Sequence, residues 1–247
     1  ASPPGPARLA FLPRHGRGHR LSPSDLNYRA NIAALKQLGA TDVLSLSAVG
    51  GLRADLPPGT FVVIDQFIDR TFAREKSFFG DGLVAHVSMA QPTCNRLADL
   101  AHECAQTAGF PVRKGGTYLA MEGPQFSTRA ESRLYRSWGC DVIGMTAMPE
   151  AKLAREAELP YALVGMVTDY DCWREGEAVD VAQVVGQMQA NGALARAMVA
   201  NFISALPQER EPSPIDFALD DAVITAPDEH DPAVMAKLDA VAGRLFG

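Results

Sequence analysis

Two kinds of apolar pattern alternate along this chain. The first is the short continuous run, seen at Leu9–Leu12, Val43–Ala48, Thr60–Ile64, Gly116–Met121, Val142–Met145 and Tyr161–Thr168. Such runs predict strands covered on both faces, as the strands of a mostly parallel sheet are. The second is helical spacing. Leu26, Ile32, Leu35 and Leu38 share one face of a helix that a Ser24 cap would start and Gly39 would stop. Thr93 is placed to cap a helix reaching about Ala108, before Gly109. Thr128 and Glu131 have capping-box spacing for a helix to Trp138, and Pro149 suits the first turn of a helix to about Glu158. Val179–Leu206 predicts one long helix, Gln208–Pro214 a loop, and Pro232–Phe246 a final amphipathic helix.

This alternation predicts an α/β fold: a single domain, 1–247, whose mixed, mostly parallel twisted sheet is flanked by helices. In such sheets ligands bind beyond the carboxyl ends of the strands. The chain contains no internal repeat and no low-complexity tract.

Composition narrows the choice of partners. With 247 residues, 47% hydrophobic and 21% charged, the chain has a globular balance and length enough for a buried core. A net charge of −6 argues against a general polyanion binder, so no nucleic-acid partner is expected. The uncharged stretch Val181–Ala195 carries Gln183, Gln187, Gln189 and Asn191, too short and too polar for a membrane span. Cys94, Cys104, Cys140 and Cys172 form no CxxC pair and no zinc spacing, which predicts reduced thiols in a cytoplasmic protein. Cys172, beside Trp173, is the one cysteine that invites a catalytic reading.

Five polar clusters follow the strand-like runs. In Arg14-His15-Gly16-Arg17-Gly18-His19-Arg20, basic groups crowd around two glycines, a composition that suits a phosphate or carboxylate. A solvated charged loop is the plain alternative, and a metal site through His15 and His19 would need a third ligand that is not in sight. Ser47-Ala48-Val49-Gly50-Gly51 can present a hydroxyl and backbone N–H groups to an anion, or be an ordinary turn. Glu122 to Arg129 runs into a helix N-terminus, with Phe126 able to stack on a flat ligand or to fill the core. Gly144 to Glu150 offers the soft surface of Met145 and the Thr146 hydroxyl, or simply a core methionine and a cap. In Thr168-Asp169-Tyr170-Asp171-Cys172-Trp173, two carboxylates at alternate positions point the same way if the strand continues. Such a pair can divide acid and acceptor roles, or cap the loop.

Taken together, RHGRGH (14–19), NYRANIAALK (27–36), IDQFIDRT (64–71), EGPQFSTRAE (122–131), GMTAMPEAKLA (144–154) and TDYDCW (168–173) resemble the methylthioadenosine phosphorylase branch of the trimeric purine nucleoside phosphorylase family. The resemblance runs from Phe11 to about Leu206. It implies phosphorolysis of 5′-methylthioadenosine to adenine and 5-methylthioribose 1-phosphate, with inorganic phosphate as co-substrate and no metal or organic cofactor. By this resemblance Arg14, His15, Ser47, Ala48 and Thr146 hold phosphate, and Met145 lies against the ribose, bonding its hydroxyls through the backbone. Phe126 flanks the base, Asp169 and Asp171 address the purine with Tyr170 between them, and Ser127 and Val181 tune substrate choice. His86 reaches a neighbouring subunit's site in a homotrimer. Most relatives carry Thr where Ser47 stands, and the hydroxyl is kept.

The chemistry fits these assignments. Asp169 near purine N7 can donate a proton or hydrogen bond as charge builds there. It then needs a raised pKa or must take up its proton during the reaction. Asp171 can accept from a 6-amino group, whereas a 6-oxo purine sets acceptor against acceptor. Family members also begin with a strand and a Gly-rich turn whose hydroxyl binds phosphate, and nothing like it precedes Phe11. The domain is therefore expected to lack that strand and loop. Two readings stand beside the main one: a broader purine nucleoside phosphorylase, and a truncated or inactive nucleoside-binding subunit.

Overall fold

The computed structural model describes residues 8–174 and 181–246. Seven strands form one sheet: β1 (Val43–Gly51), β2 (Phe61–Ile64), β3 (Gln66–Arg70), β4 (Val112–Lys114), β5 (Thr117–Met121), β6 (Val142–Gly144) and β7 (Tyr161–Asp169). Their order is β3-β5-β6-β1-β7-β2-β4. The pairs β1–β7, β2–β4, β3–β5 and β5–β6 are parallel, while β1–β6 and β2–β7 are antiparallel. The mixed, mostly parallel α/β sheet expected from the sequence is the one observed.

Helices cover both faces. These are α1 (Tyr28–Gln37), α2 (Asn95–Thr107), α3 (Arg129–Ser137), α4 (Ala147–Glu156), α5 (Val181–Ala205) and α6 (Pro232–Ala242). Side-chain alternation along the strands divides the core. Val62, Ile64, Tyr161 and Leu163 pack under α1 and α4, whereas Phe61, Val63, Ala162 and Val164 pack under α2 and α5. Burying both faces is what makes these strands read as continuous apolar runs.

The sequence-based boundaries need four corrections. Leu9–Leu12 is no strand; Leu9 and Phe11 stand exposed, with no sheet partner among the described residues. Ser24 does not cap α1, which starts at Tyr28, because its hydroxyl is spent on Glu122. Thr93 does not cap α2 either; Cys94 occupies that position. The strands β3 and β4 lie where no strand was expected. By contrast, the Thr128–Glu131 capping box forms in full. The backbone departs from helical geometry at Met148, so the regular part of α4 opens at Pro149. The expected helix start at Val179 lies outside the described residues.

Candidate active site

The first cluster is built on the middle of β1 and the loop that follows β6. Arg14 Nη1 donates to Thr146 Oγ1 at 2.7 Å, and Nη2 donates to Ser45 Oγ at 2.8 Å and the Leu46 carbonyl at 2.9 Å. Its Nε lies 3.3 Å from Glu150 Oε2. Burial works against the Arg14 charge, but Glu150 outweighs it and the guanidinium stays more basic than usual. Ser47 Oγ sits 3.4 Å from both Thr146 Oγ1 and the Tyr118 hydroxyl. The structure thus brings Arg14, Ser47 and Thr146 together. Ala48, next on β1, offers only its backbone to a ligand.

His15 adjoins Arg14 in the chain, and its Nδ1 donates to the Leu21 carbonyl at 2.9 Å. Burial pushes its pKa down, and His19, stacked on it at 4.0 Å, adds to that. With Nδ1 donating, the neutral ring presents Nε2 as an acceptor, able to receive a hydrogen bond or take up a proton.

The second cluster stands at the end of β7. The strand stops at Asp169, and Asp171 takes a left-handed backbone, φ 54°. The extended geometry therefore does not continue, and alternation is not what pairs the two acids. They are paired by a turn in which the Asp171 N–H donates to Asp169 Oδ1 at 2.7 Å. Asp169 Oδ2 also accepts from Thr168 Oγ1 at 2.7 Å. Asp171 is buried, and Ser127 Oγ lies 2.8 Å from each of its carboxylate oxygens. Burial pushes the Asp171 carboxyl up, against the pull of neighbouring serine hydroxyls.

Backbone shape joins the two clusters. A Cβ on Gly50 would stand 3.2 Å from Asp169 Oδ1, so the end of β1 touches the acids directly. Ser47 is three residues away on the same strand, about 10 Å at strand rise. That spacing leaves room for a sugar between an anion and a base. Met145 occupies the neighbouring loop, packed on Gly123; a Cβ there would lie 2.5 Å from Met145 Sδ, and its φ of 69° also requires glycine. Phe126 is 48% exposed at the mouth of the same loop, available for stacking rather than part of the core.

Other expected residues stand apart. The Tyr170 ring packs edge-on against Trp173, with its hydroxyl 3.4 Å from the Ala54 carbonyl, so it faces away from the acid pair. His86 and Val181 are exposed, and among the described residues no hydrogen bond or ion pair ties them to either cluster. Cys172 is held 3.2 Å from the Ser127 carbonyl, and burial pushes its thiol up, which opposes a thiolate nucleophile. Two participants, Ser45 and Tyr118, carry no motif that marks them in the sequence, and Glu150 lies inside the Gly144–Glu150 cluster without a role assigned to it there. Glu150 accepts from Ser45 Oγ at 2.7 Å and from the Tyr161 hydroxyl at 2.9 Å, and so holds Arg14 in place. One signal is legible: Ser45 and Ser47 share a face of an otherwise apolar strand.

Known proteins share this arrangement's sequence and fold. The phosphorylase superfamily model matches residues 7–204. S-methyl-5′-thioadenosine phosphorylase of Cereibacter sphaeroides is 60% identical over 242 residues, covering 96% of this chain and 83% of that protein. The protein of the same name from Bradyrhizobium diazoefficiens is 57% identical over 241 residues, covering 96% and 83%. A solved methylthioadenosine phosphorylase from an Antarctic soil metagenomic library superposes with a TM-score of 0.89 at 44% identity, over 94% of this chain and 82% of that one. With the family model spanning both clusters and relatives this similar over nearly the whole length, the chain belongs to the phosphorylase superfamily.

Proposed function

We propose that this protein is an enzyme that cleaves 5′-methylthioadenosine with inorganic phosphate, releasing adenine and 5-methylthioribose 1-phosphate. The observation that carries this reading is the pairing, along β1, of an Arg14–Ser47–Thr146 anion cluster with the Ser127–Asp171–Asp169 acid cluster, in a chain 60% identical to an S-methyl-5′-thioadenosine phosphorylase. Arg14, Ser47, Thr146, the Ala48 backbone and His15 hold phosphate beneath the sugar. Met145 lies against the ribose and Phe126 against the base. Asp169 supports N7 as charge develops on the leaving purine, while Asp171, oriented by Ser127, accepts from the 6-amino group. Ser127 and Val181 tune substrate choice. The enzyme works as a homotrimer in which His86 of one copy completes its neighbour's site. The four free cysteines fit a reducing, cytoplasmic setting.

The test compares phosphorolysis of methylthioadenosine, adenosine and inosine by the purified protein, with and without phosphate. The expected result is phosphate-dependent adenine release, fastest with methylthioadenosine. Faster turnover of inosine, or adenine release without phosphate, overturns the reading.

A further inference from the structure

One buried cation takes no part in either cluster. Arg74 follows β3, and its side chain is 1% exposed. Its Nη1 donates to the Met145 carbonyl at 2.5 Å, the Met148 carbonyl at 2.7 Å and the Tyr28 hydroxyl at 3.1 Å. Its Nη2 donates to the Glu122 carbonyl at 2.6 Å, and Nε reaches Ser24 Oγ at 3.3 Å, with Glu122 Oε1 at 3.6 Å as the counter-ion. The Glu122 carboxylate in turn receives the Phe72 N–H at 2.7 Å and the Ser24 hydroxyl. A single guanidinium therefore joins the loop after β5 (Glu122-Gly123) to the loop after β6 (Met145 to Met148). These are the two loops that meet where Met145 packs on Gly123.

We infer that Arg74 is a positioning residue for the sugar subsite: it fixes the Met145 carbonyl, and so the backbone offered to the ribose, without touching the substrate. A peptide group is planar, so holding the Met145 carbonyl also sets the orientation of the N–H of Thr146. The fork geometry is what this role requires. Guanidinium nitrogens in one plane can serve carbonyls on two separate loops, whereas a lysine ammonium is a single point. Met148 precedes Pro149, which pushes its backbone out of the helical region (φ −118°, ψ 133°), and its carbonyl then accepts from Arg74 rather than from a helix N–H. Leaving the Met145, Met148 and Glu122 carbonyls without a donor would let both loops relax. The inference rests on the proposed placement of ribose against Met145.

The experiment measures affinity for methylthioadenosine and for adenine, the same base without the sugar, in wild type and in Arg74→Lys. Positioning of the sugar subsite predicts at least a tenfold loss for methylthioadenosine and a change within twofold for adenine. Arg74→Met should lose more than Arg74→Lys. A purely structural role moves both ligands together or neither, and either result overturns the inference. If Arg74→Lys does not fold, Glu122→Gln keeps an acceptor but removes the counter-ion, and a threefold or larger loss confined to methylthioadenosine is expected. Equal changes in both ligands with that variant overturn the inference as well. Wild type that binds and cleaves no methylthioadenosine overturns the proposed function, and the sugar role of Arg74 with it. An active wild type with an unchanged ligand ratio in the variants removes only Arg74.

Discussion

Replacing Ser127 with alanine isolates one hydrogen bond to a buried charge. The Ser127 hydroxyl lies 2.8 Å from both oxygens of Asp171, and both residues are buried. A hydrogen bond to a charged group contributes roughly 1.5–3 kcal/mol, so about 2 kcal/mol of stability is expected to go when Ser127 becomes alanine. The pH dependence is diagnostic. Burial already holds the Asp171 carboxyl above its ordinary value, and the hydroxyl opposes that rise. A raised acid contributes its full stability below its unfolded pKa and loses it as pH rises through the folded value. Without the hydroxyl the folded value moves higher still, so the loss on ionisation is larger. The variant should therefore approach wild type in acid, where Asp171 is neutral in both, and fall about 2 kcal/mol behind at neutral pH. Urea unfolding across that range, at one fixed protomer concentration, measures the gap. A gap of the same size in acid and at neutral pH would refute the reasoning, as would no gap at all. Activity gives an independent check: Ser127→Ala should lose discrimination between adenosine and inosine if Ser127 orients the acceptor.

Two further outcomes follow from particular contacts. Asp169→Asn should lower turnover of methylthioadenosine much more than of inosine, because an amide cannot supply the proton that a leaving adenine needs; equal losses in steady-state rates would count against Asp169 as the base-selective acid. Burial pushes the Asp69 carboxyl up, but Lys152, Thr71 and Lys76 outweigh it and hold it at about 2 against an ordinary 3.8. A depressed acid contributes stability above its unfolded pKa and loses it as pH falls toward the folded one, so Asp69→Asn should cost about 2 kcal/mol at neutral pH. The variant should also lose the acid-side decline between those two values. An acid limb unchanged in urea titrations would show that the lysines do not stabilise this carboxylate.

What could be read from the sequence depended on where burial acts. β7, covered on both faces, announced itself as an apolar run, and so did β1 and β2. β3 (QFIDR) and β4 (VRK) did not, and they are the two edges of the sheet. An edge strand is half exposed and carries charge, which breaks the apolar pattern and also blunts edge pairing. Capping divided in the same way. Thr128 and Glu131 satisfy each other locally, so their spacing was sufficient. Ser24 was a cap candidate by residue type alone, and its hydroxyl was claimed by Glu122, a residue 98 positions away.

The site divides along the same line between local and distant causes. Of the groups proposed to face a ligand, Thr146, Asp169 and Asp171 lie at or just past strand ends and Ser47 lies within β1, and their clustering with Arg14 beside apolar runs makes them legible in the sequence itself. Groups that hold those residues in place leave no such mark, because each acts across the fold. Glu150 reaches Ser45 across 105 positions, and Arg74 reaches Met145 across 71. Both are charged groups taken out of water, which a protein accepts only where their hydrogen-bonding capacity is filled. In a chain of net charge −6, Arg14 and Arg74 are each matched to a single glutamate, Glu150 and Glu122. These pairs leave opposite resources over. Arg74 spends its remaining donors on the Met145, Met148 and Glu122 carbonyls and on two hydroxyls, Tyr28 and Ser24, that are themselves committed to the Pro23 carbonyl and the Glu122 carboxylate, and so can only position. Arg14 spends its donors on Thr146, Ser45 and the Leu46 carbonyl, and Thr146 is a hydroxyl that can turn toward an incoming anion. Swapping a hydroxyl partner for a phosphate oxygen costs little, whereas abandoning a backbone carbonyl costs a buried acceptor. This difference in partners, rather than in charge, is what separates an arginine that can bind phosphate from one that sets the geometry beside it.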